Sequence, residues 1–346
     1  MDGDTRRRFL QQTGLAALGL MSGSAASRAF AAASEMSTKV RFGWQPTLNG
    51  SRYFIAHDSG IFSKNGVEVE QVKFLAGPPF FSAFESGSID VGFMGTPPAS
   101  IGIAQGVPMK IFAVENYASG SEALVVTPQS GIKTLKDLRG KRIAAQRGTS
   151  GEYALLTALK SVGMTLKDIQ YLTLDVTALL PAFAKGDIDG GWYWEPWQGE
   201  MREAGGIQIA TDVQVGCAGC IVWVARPDWL AKNGDTVHRI LQSLDQATVM
   251  LTSNPQKVAD YLHADTGVST KLALEIVTKE ASWPTMKEEW EPSYVASMNP
   301  SAIRQKKGLV SILDKLAQYQ HEVRAINAVP DFAAAIDTTF LSKYVT

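Results

Sequence analysis

One short pattern occurs twice in this chain, and the repeat constrains the fold more than any other feature. Residues 84–92 read Phe-Glu-Ser-Gly-Ser-Ile-Asp-Val-Gly, and residues 183–191 read Phe-Ala-Lys-Gly-Asp-Ile-Asp-Gly-Gly. The same offset of 99 holds without a gap from Gln71 and Gln170 to Pro97 and Pro196. Each copy is typical of a helix that ends at glycine, a short strand and a proline-bearing loop. Two such α/β units predict two lobes around a shared cleft, because ligands bind beyond the carboxyl ends of strands in α/β sheets.

The first 31 residues have the features of an export signal. Thr5-Arg6-Arg7-Arg8-Phe9-Leu10 fits the twin-arginine pattern, a mildly apolar stretch follows over residues 14–23, and Ala29-Phe30-Ala31 matches an A-x-A cleavage site. We therefore expect residues 1–31 to be a twin-arginine signal peptide and the mature protein to reach the periplasm.

The length and charge of the remaining chain limit its domain organisation and its partners. About 315 residues follow the signal, more than one hydrophobic core usually organises, so two lobes are expected. We assign residues 39–127 and 226–346 to lobe I and residues 128–225 to lobe II. Removal of residues 1–31 takes away four Arg and two Asp and changes the formal charge from −1 to −3. This balance argues against a nucleic-acid partner, and we expect a monomer.

The order of apolar runs and breakers predicts alternating strands and helices up to residue 225, followed by a helical region. Residues 303–323 are one predicted helix, with an apolar stripe that is typical of core packing. Cys217 and Cys220 are the two cysteines of the chain, and their spacing permits either a small disulfide loop or two buried thiols.

Three predicted helix starts lie where strands end. The strongest is Thr149-Ser150, where two hydroxyls join the free N–H groups and positive dipole end of a helix. Thr96, which follows Gly95 and precedes Pro97, makes a similar corner in the other lobe, as does Asn49-Gly50-Ser51. These corners favour a small anion, although Ser150 also suits a simple capping role. Gln45, at the end of the first predicted strand, is a further candidate ligand-binding residue.

An aromatic segment, Trp192-Tyr193-Trp194-Glu195-Pro196-Trp197, follows the repeated strand of the second copy. Glu195 occupies the position that Thr96 holds in the first copy. A carboxylate beside aromatic rings suits an ammonium group, through charge pairing and cation–π attraction. We therefore predict that Glu195 binds an amine and that Trp194 forms a wall of the cleft, while a surface position for Glu195 remains the alternative.

The sequence carries no recognised catalytic motif. It has no G-x-S-x-G, Walker, H-E-x-x-H or Rossmann glycine pattern, and its four histidines lack metal-ligand spacing. We expect no cofactor, no metal and no catalysis.

These residues resemble a known family. The stretches Ser121-Glu122-Ala123-Leu124-Val125-Val126, Asp137-Leu138-Arg139-Gly140-Lys141-Arg142, Gly186-Asp187-Ile188-Asp189-Gly190 and Val222-Trp223-Val224 are similar to the substrate-binding proteins of sulfonate, nitrate and taurine ABC importers. Taurine-binding proteins are the most similar. The resemblance implies an α/β, two-lobed type II periplasmic-binding-protein fold, a membrane permease as partner, and a ligand that is a small anion or zwitterion such as a sulfonate. It implies that Gly95, Thr96, Thr149 and Ser150 bind the anion. It also implies that Trp194 forms an aromatic wall of the site.

Two sequence differences from the taurine-binding proteins leave more than one ligand possible. Those proteins place an acidic residue before Val-Trp-Val, where this chain has Ile221, and they lack the glutamate found here at 195. Nitrate, a sulfate ester, an aromatic or other carboxylate and a quaternary ammonium compound are therefore alternatives to taurine or a related small sulfonate. A more distant alternative is an enzyme on the same fold, similar to the pyrimidine-making proteins.

Overall fold

The structure is a computed structural model that describes residues 38–118, 120–217, 219–279 and 281–346. The predicted signal peptide, residues 1–31, lies outside these described residues. Within them, the strands are β1 (Thr38–Trp44), β2 (Val67–Lys73), β3 (Val91–Gly95), β4 (Lys110–Ala118), β5 (Glu122–Val126), β6 (Arg142–Ala145), β7 (Gln170–Thr173), β8 (Gly190–Trp194), β9 (Ile207–Thr211), β10 (Gly219–Ala225) and β11 (Ala281–Ser282).

Helices alternate with the strands up to residue 203 and dominate the chain after residue 226. The described α-helices are α1 (Ser51–Asp58), α2 (Ile61–Lys64), α3 (Phe80–Glu85), α4 (Thr96–Ala104), α5 (Ser150–Ser161), α6 (Val176–Lys185), α7 (Trp197–Glu203), α8 (Pro227–Lys232), α9 (Gly234–Ser253), α10 (Pro255–Thr266), α11 (Thr270–Lys279), α12 (Met286–Trp290), α13 (Pro300–Arg304), α14 (Leu309–Glu322), α15 (Phe332–Ala335) and α16 (Thr339–Val345). No helix in this described part of the chain combines the length and apolar character that a membrane crossing requires.

The strands form two mixed sheets. The first has the order β11-β4-β10-β3-β1-β2, and the second has the order β7-β6-β8-β5-β9. In the first sheet β1 is parallel to β3, while β10 is antiparallel to β3. In the second, β6 is parallel to β8, while β5 is antiparallel to β8. The two sheets are thus built on the same plan.

The repeated pattern folds as predicted. In the first copy α3 ends before Gly87, which has a φ of 69°, and β3 follows. In the second copy α6 ends at Gly186, with a φ of 72°, and β8 follows. Positive φ is the conformation that glycine adopts at low cost, so the glycine ends each helix and turns the chain into a strand.

The chain changes sheets earlier than the sequence predicted at both crossings. β5 belongs to the second sheet, so the first crossing lies between Ala118 and Glu122 rather than at residue 127. β10 belongs to the first sheet, so the return lies between Thr211 and Gly219 rather than at residue 225. Each change of sheet lies one strand before the predicted lobe boundary, and both strands run antiparallel to the neighbours that they join.

The predicted helix over residues 303–323 is two helices, α13 and α14. Between them Lys306 and Gly308 have φ values of 52° and 65°, which an α-helix cannot accommodate. The apolar stripe of α14 packs into the core as predicted, with Leu309, Leu313 and Leu316 all buried. The region after Pro227 is otherwise helical, except for the two-residue strand β11.

Candidate functional site

A small chamber lies where the two sheets present the ends of their strands to each other. It has a volume of about 30 Å³, which holds a few water molecules or one compact polar group. Its walls come from both sheets and from the loops that follow β1, β2 and β6. The residues lining this inner chamber are Gln45, Thr47, Asn49, Gly77, Gly95, Pro98, Glu122, Thr149, Ser150, Trp194 and Ile221.

A larger outer chamber adjoins the inner one and shares four of its lining residues, Gly95, Glu122, Ser150 and Ile221. Its volume is about 350 Å³. Tyr117 and Tyr153 are among its walls, together with apolar side chains from both lobes. The cleft is therefore one cavity in two parts, a small end and a roomier end.

Sheet topology explains why these residues meet. Trp44, Gly95, Ala145 and Trp194 are the carboxyl ends of four parallel-paired strands. Gly95 and Trp194 line the cleft themselves, and the loops after Trp44 and Ala145 supply Gln45 and Thr149. Antiparallel strands bring their first residues to the same edge. Glu122 pairs with Trp194 in this way, and Ile221 pairs with Gly95.

The start of α5 is the principal donor group of the inner chamber. Thr149 is the N-cap residue, but its side chain makes no capping hydrogen bond; its Oγ1 donates instead to the carbonyl of Gln146 at 2.7 Å. The N–H groups of the first turn have no intrahelical partners, and this 12-residue helix places its positive dipole end there. The corner therefore offers backbone donors, with the Ser150 side chain beside them, to a negatively charged group.

The structure brings five of the seven predicted site residues into the inner chamber. They are Gln45, Gly95, Thr149, Ser150 and Trp194. The amide of Gln45 is held by a hydrogen bond from its Nε2 to the carbonyl of Phe93 at 3.2 Å. Trp194 is buried and forms a wall, while its neighbour Trp192 packs in the core of the second lobe.

Thr96 lies in the outer chamber instead. Its side chain is buried, and its Oγ1 accepts a weak hydrogen bond from the N–H of Cys220 at 3.4 Å. The next two residues, Pro97 and Pro98, have no amide hydrogen. The start of α4 therefore offers fewer backbone donors to an anion than the start of α5.

Glu195 does not lie in either chamber, so the prediction that it meets a ligand amine is not supported by its position. Its carboxylate is fully buried within its own lobe. It accepts hydrogen bonds from the side chain of Gln198, from the N–H of Gly199 at 3.2 Å and from Arg202 at 2.9 Å. Arg202 neutralises this charge, and the group stabilises the start of α7.

Glu122 is the carboxylate of the cleft, and the sequence analysis did not select it. It lines both chambers and is largely buried. Burial and the nearby Asp212 raise its pKa to about 8, although a hydrogen bond with Ser150 acts in the opposite direction. The signal in the sequence is a single charged residue that opens the apolar strand Glu-Ala-Leu-Val-Val.

Cys217 and Cys220 are free thiols in the structure, and both line the outer chamber. Burial raises the pKa of both thiols. Protonated thiols are weak nucleophiles and behave as small apolar groups. Among the described residues no group of three or more His, Cys, Asp or Glu side chains has the arrangement of a metal site.

Comparison with known proteins places the chain in a family. It is 30% identical over 310 residues to the putative aliphatic sulfonates-binding protein of Bacillus subtilis, covering 88% of this chain and 87% of that protein. It is also 30% identical over 234 residues to the taurine-binding periplasmic protein of Escherichia coli, covering 66% of this chain and 72% of that protein. A more distant relative, 24% identical over 258 residues and covering 69% of this chain and 74% of that protein, is the 4-amino-5-hydroxymethyl-2-methylpyrimidine phosphate synthase of Schizosaccharomyces pombe.

Solved structures confirm the predicted fold class. The alkanesulfonate-binding protein SsuA from Xanthomonas axonopodis pv. citri, bound to MOPS, superposes with a TM-score of 0.74 at 22% identity and covers 87% of this chain and 98% of that one. The periplasmic aliphatic sulphonate binding protein SsuA from Escherichia coli gives a TM-score of 0.71 at 23% identity, covering 87% and 92%. The fold is the two-lobed α/β fold of periplasmic binding proteins. The family model described as NMT1/THI5 like matches residues 48–258, and with these relatives it shows that the chain belongs to the NMT1/THI5-like family.

Proposed function

We propose that this protein is the solute-binding component of an ABC importer and that it binds a small sulfonate, with taurine as the simplest amine-bearing candidate. The sulfonate lies in the inner chamber, and the loaded protein delivers it to a membrane permease. The observation that carries the proposal is the pairing of anion donors at the start of α5 with a carboxylate, Glu122, in one small cavity.

The hydrogen-bond donors at the start of α5 suit a sulfonate for electrostatic reasons. A sulfonate spreads one negative charge over three oxygens, and several weak donors in a fixed array match it better than one strong cation. The N–H groups in the first turn of α5 form such an array, with the Ser150 side chain beside them. The relatives named for taurine and for aliphatic sulfonates support the same head group.

The hydrogen-bond acceptors of the inner chamber suit an ammonium group. Glu122 supplies a carboxylate, and Asn49 supplies a buried side-chain oxygen, Oδ1, that has no hydrogen-bond partner. A buried acceptor without a partner is costly, so a donor on the ligand stabilises both itself and Asn49. Glu122 thus takes the role that the sequence assigned to Glu195.

A role as an enzyme receives less support from the cleft. The described residues that line the two chambers include no histidine, and both cysteines are kept protonated by burial. We propose binding without turnover, as a monomer, in the periplasm after export by the twin-arginine route. Cell fractionation tests the location, and product analysis after prolonged incubation with a bound ligand tests the absence of turnover.

Isothermal titration calorimetry tests the ligand class. We expect taurine and ethanesulfonate to bind, and β-alanine, the carboxylate analogue of taurine, to bind at least tenfold more weakly. Ser150→Ala should weaken taurine binding about tenfold, because the variant loses a hydroxyl at the anion corner. Ser161→Ala, at the exposed opposite end of α5, is the matched control and should leave binding unchanged. If no sulfonate binds, the proposed function is wrong.

A further inference from the structure

The chain crosses between the two sheets twice, over residues 118–122 and 211–219. Asp212 lies at the start of the second crossing, directly after β9, and is 2% exposed. Its Oδ1 accepts a hydrogen bond from the N–H of Gly120, in the first crossing, at 2.9 Å. The same atom accepts from the N–H of Val213 at 2.9 Å. One buried carboxylate therefore connects the two segments that join the lobes.

The backbone of Asp212 adds to this connection. Its N–H donates to the carbonyl of Glu122 at 3.1 Å, and its carbonyl accepts from the N–H of Cys217 at 2.9 Å. Glu122 is the first residue of β5, so Asp212 ties the second crossing to the strand that follows the first. The placement of one lobe relative to the other depends on these two crossings, because hinge motion is confined to a few connecting residues.

Asp212 also faces the carboxylate of the cleft. Thr211 pairs with Ala123 in the antiparallel ladder of β5 and β9, so the next residue, Asp212, lies opposite Glu122. Directly opposed side chains lie on the same face of a sheet, with Cβ atoms about 5 Å apart, and like charges there repel each other. Both residues are buried, so solvent screens this repulsion little. The pair is therefore most stable when one of its two carboxyl groups carries a proton.

The hydrogen bonds determine which of the two carboxyl groups carries the proton. Asp212 accepts two backbone N–H bonds at Oδ1, which stabilise its ionised form. Glu122 has a hydrogen bond with Ser150, but burial and the charge of Asp212 outweigh it and raise the pKa of Glu122 to about 8. At neutral pH the proton therefore belongs to Glu122, and Asp212 remains charged.

The other titratable side chains around Glu122 are neutral or exposed to solvent. Those that line the outer chamber are Tyr117, Tyr153, Cys217, Cys220 and Lys315. Burial raises the pKa of the two tyrosines and of the two cysteines, so these four groups stay neutral while Glu122 titrates. Lys315 is exposed on α14, where solvent screens its charge. Asp212 is therefore the principal charge that acts on Glu122.

We propose that Asp212 is a positioning residue of the binding site, which joins the two crossings through its carboxylate and sets the charge that Glu122 presents to a ligand. The described linings of both chambers include Glu122 but not Asp212, so Asp212 acts without touching the ligand. While Asp212 is charged, Glu122 keeps its proton at neutral pH and releases it to solvent when an ammonium group binds. This inference rests on the proposed function, because Glu122 is the carboxylate assigned there to the ligand amine.

Asp212→Asn tests the charge, because the asparagine Oδ1 still accepts the hydrogen bonds from Gly120 and Val213. NMR of the full-length protein, with glutamate isotope-labelled at the δ-carbon, follows the titration of Glu122 without a ligand, and Glu122→Gln identifies its signal. The midpoint should fall by about one pH unit or more in Asp212→Asn, because a buried like charge is removed. Asp187→Asn, at an exposed position of the same lobe, is the control and should leave the midpoint unchanged.

Ligand binding should show the same change. Calorimetry at a series of pH values gives the pH at which taurine affinity levels off and the pH at which ethanesulfonate affinity begins to fall. Both should move down together in Asp212→Asn, by the amount that NMR measures for Glu122. A substitution that only weakened the fold would lower both affinities without moving either pH.

Asp212→Ala tests the connection between the crossings, because it removes the hydrogen-bond acceptor as well as the charge. Compared with Asp212→Asn, it should weaken taurine and ethanesulfonate by one common factor, about threefold or more, since fewer molecules hold both lobes in the binding arrangement. The Asp212→Asn measurements do not depend on this variant, so they test the proposal even if Asp212→Ala does not fold.

The outcomes separate this inference from the proposed function. If Glu122 titrates at the same pH in wild type and in Asp212→Asn, Asp212 does not set its charge and the inference is overturned. If Asp212→Ala binds both ligands as well as Asp212→Asn does, the hydrogen bonds to the crossings do not position the site, and that part of the inference is wrong. If the midpoint of Glu122 moves as expected but no sulfonate binds, the proposed function fails while the role of Asp212 stands.

Discussion

Both lobes contain the same arginine–aspartate pair, with the same set of hydrogen bonds. In the first, the N–H and Nε of Arg41 donate to Oδ2 of Asp90 at 3.1 and 2.9 Å, and its Nη2 donates to Oδ1. In the second, the N–H and Nε of Arg142 donate to Oδ2 of Asp189 at 2.8 and 3.4 Å, and its Nη2 donates to Oδ1. Each pair joins an arginine of one parallel strand, β1 or β6, to the aspartate immediately before the neighbouring parallel strand, β3 or β8. The aspartate of the repeat therefore serves the fold of each lobe and not the ligand.

The lobes differ immediately after the repeated strands. β3 leads into Gly95-Thr96-Pro97, whereas β8 leads into Trp194-Glu195-Pro196. Gly95 and Trp194, the equivalent strand ends, both line the inner chamber. The next residues diverge, because Thr96 lines the outer chamber and Glu195 is buried against Arg202. The two lobes therefore share one frame, and the residues after each repeated strand give the cleft its two different sides.

The largest effect is expected from a buried ion cluster that only the first sheet contains among the described residues. Arg52, on α1, contacts Glu115 on β4 and Glu289 on α12, and all three side chains are fully buried. Arg52→Met removes the cation and leaves two carboxylates without it. We expect the free energy of unfolding to fall by about 3–5 kcal/mol, measured by urea denaturation.

The matched control is Arg142→Met, which breaks an ion pair whose arginine is 40% exposed. Solvent screening limits such a pair to about 1 kcal/mol or less. Equal losses in the two variants would show that the Arg52 cluster contributes no more than a surface pair, and this reading of the first lobe would then be wrong.

The next effect concerns the two glutamates near Trp194. Glu122→Gln removes the carboxylate from the cleft and should weaken taurine binding about 10–100-fold above pH 8, measured by calorimetry. Ethanesulfonate binding should become stronger in the same pH range, because the charge that repels its sulfonate is gone. Glu195→Gln should change taurine affinity less than about threefold. It should instead lower the free energy of unfolding by about 1–3 kcal/mol, because Arg202 loses its buried partner. The reverse pattern would restore Glu195 as the ligand carboxylate.

The pKa of Glu122, raised to about 8, predicts opposite pH dependences for the two ligands. Below pH 8 the side chain is protonated in the free protein, and binding an ammonium requires that this proton leave. Taurine affinity should therefore rise about tenfold per pH unit up to about pH 8 and then level off. Ethanesulfonate prefers the neutral side chain, so its affinity should fall above pH 8. Parallel curves for the two ligands would exclude Glu122 from the amine contact.

The repeated helix–strand units and the start of α5 could be predicted from the sequence, because both depend on local signals. Gly87 and Gly186 end helices through their positive φ, and Ser150 opens a helix that follows a strand. These features arise within a few residues, so the repeat and the α5 corner were both found. The resemblance to a known family then supplied the two-lobed fold.

The cleft carboxylate was missed because its position depends on strand direction. Glu195 directly follows the carboxyl end of β8, where ligand-binding residues of α/β sheets are expected. Glu122 reaches the same edge as the first residue of β5, which is antiparallel to β8. The direction of β5 is set by where the chain crosses between lobes, and nothing local encodes it.

The smallest effect tests the equivalence of the lobes directly. Asp90→Asn and Asp189→Asn each remove one member of the duplicated pair, and both should lower the free energy of unfolding, by about 1–2 kcal/mol in urea denaturation. The loss should be larger for Asp90, whose side chain is 7% exposed compared with 17% for Asp189. Asp187→Asn, at an exposed position two residues before Asp189, is the control and should have no effect.

At acid pH, Asp189→Asn should no longer lower the free energy of unfolding. Burial opposes ionisation there, but hydrogen bonds from Arg142 and its positive charge outweigh it and hold the pKa of Asp189 below its usual value. A lowered pKa in the folded state contributes stability above the unfolded value of about 4, and this contribution is lost as the pH falls through the folded pKa. The difference between wild type and Asp189→Asn should therefore shrink over the range from about pH 5 down to about pH 2. A difference that stays constant over this range would mean that the ion pair, and with it the equivalence of the two lobes, contributes nothing to stability.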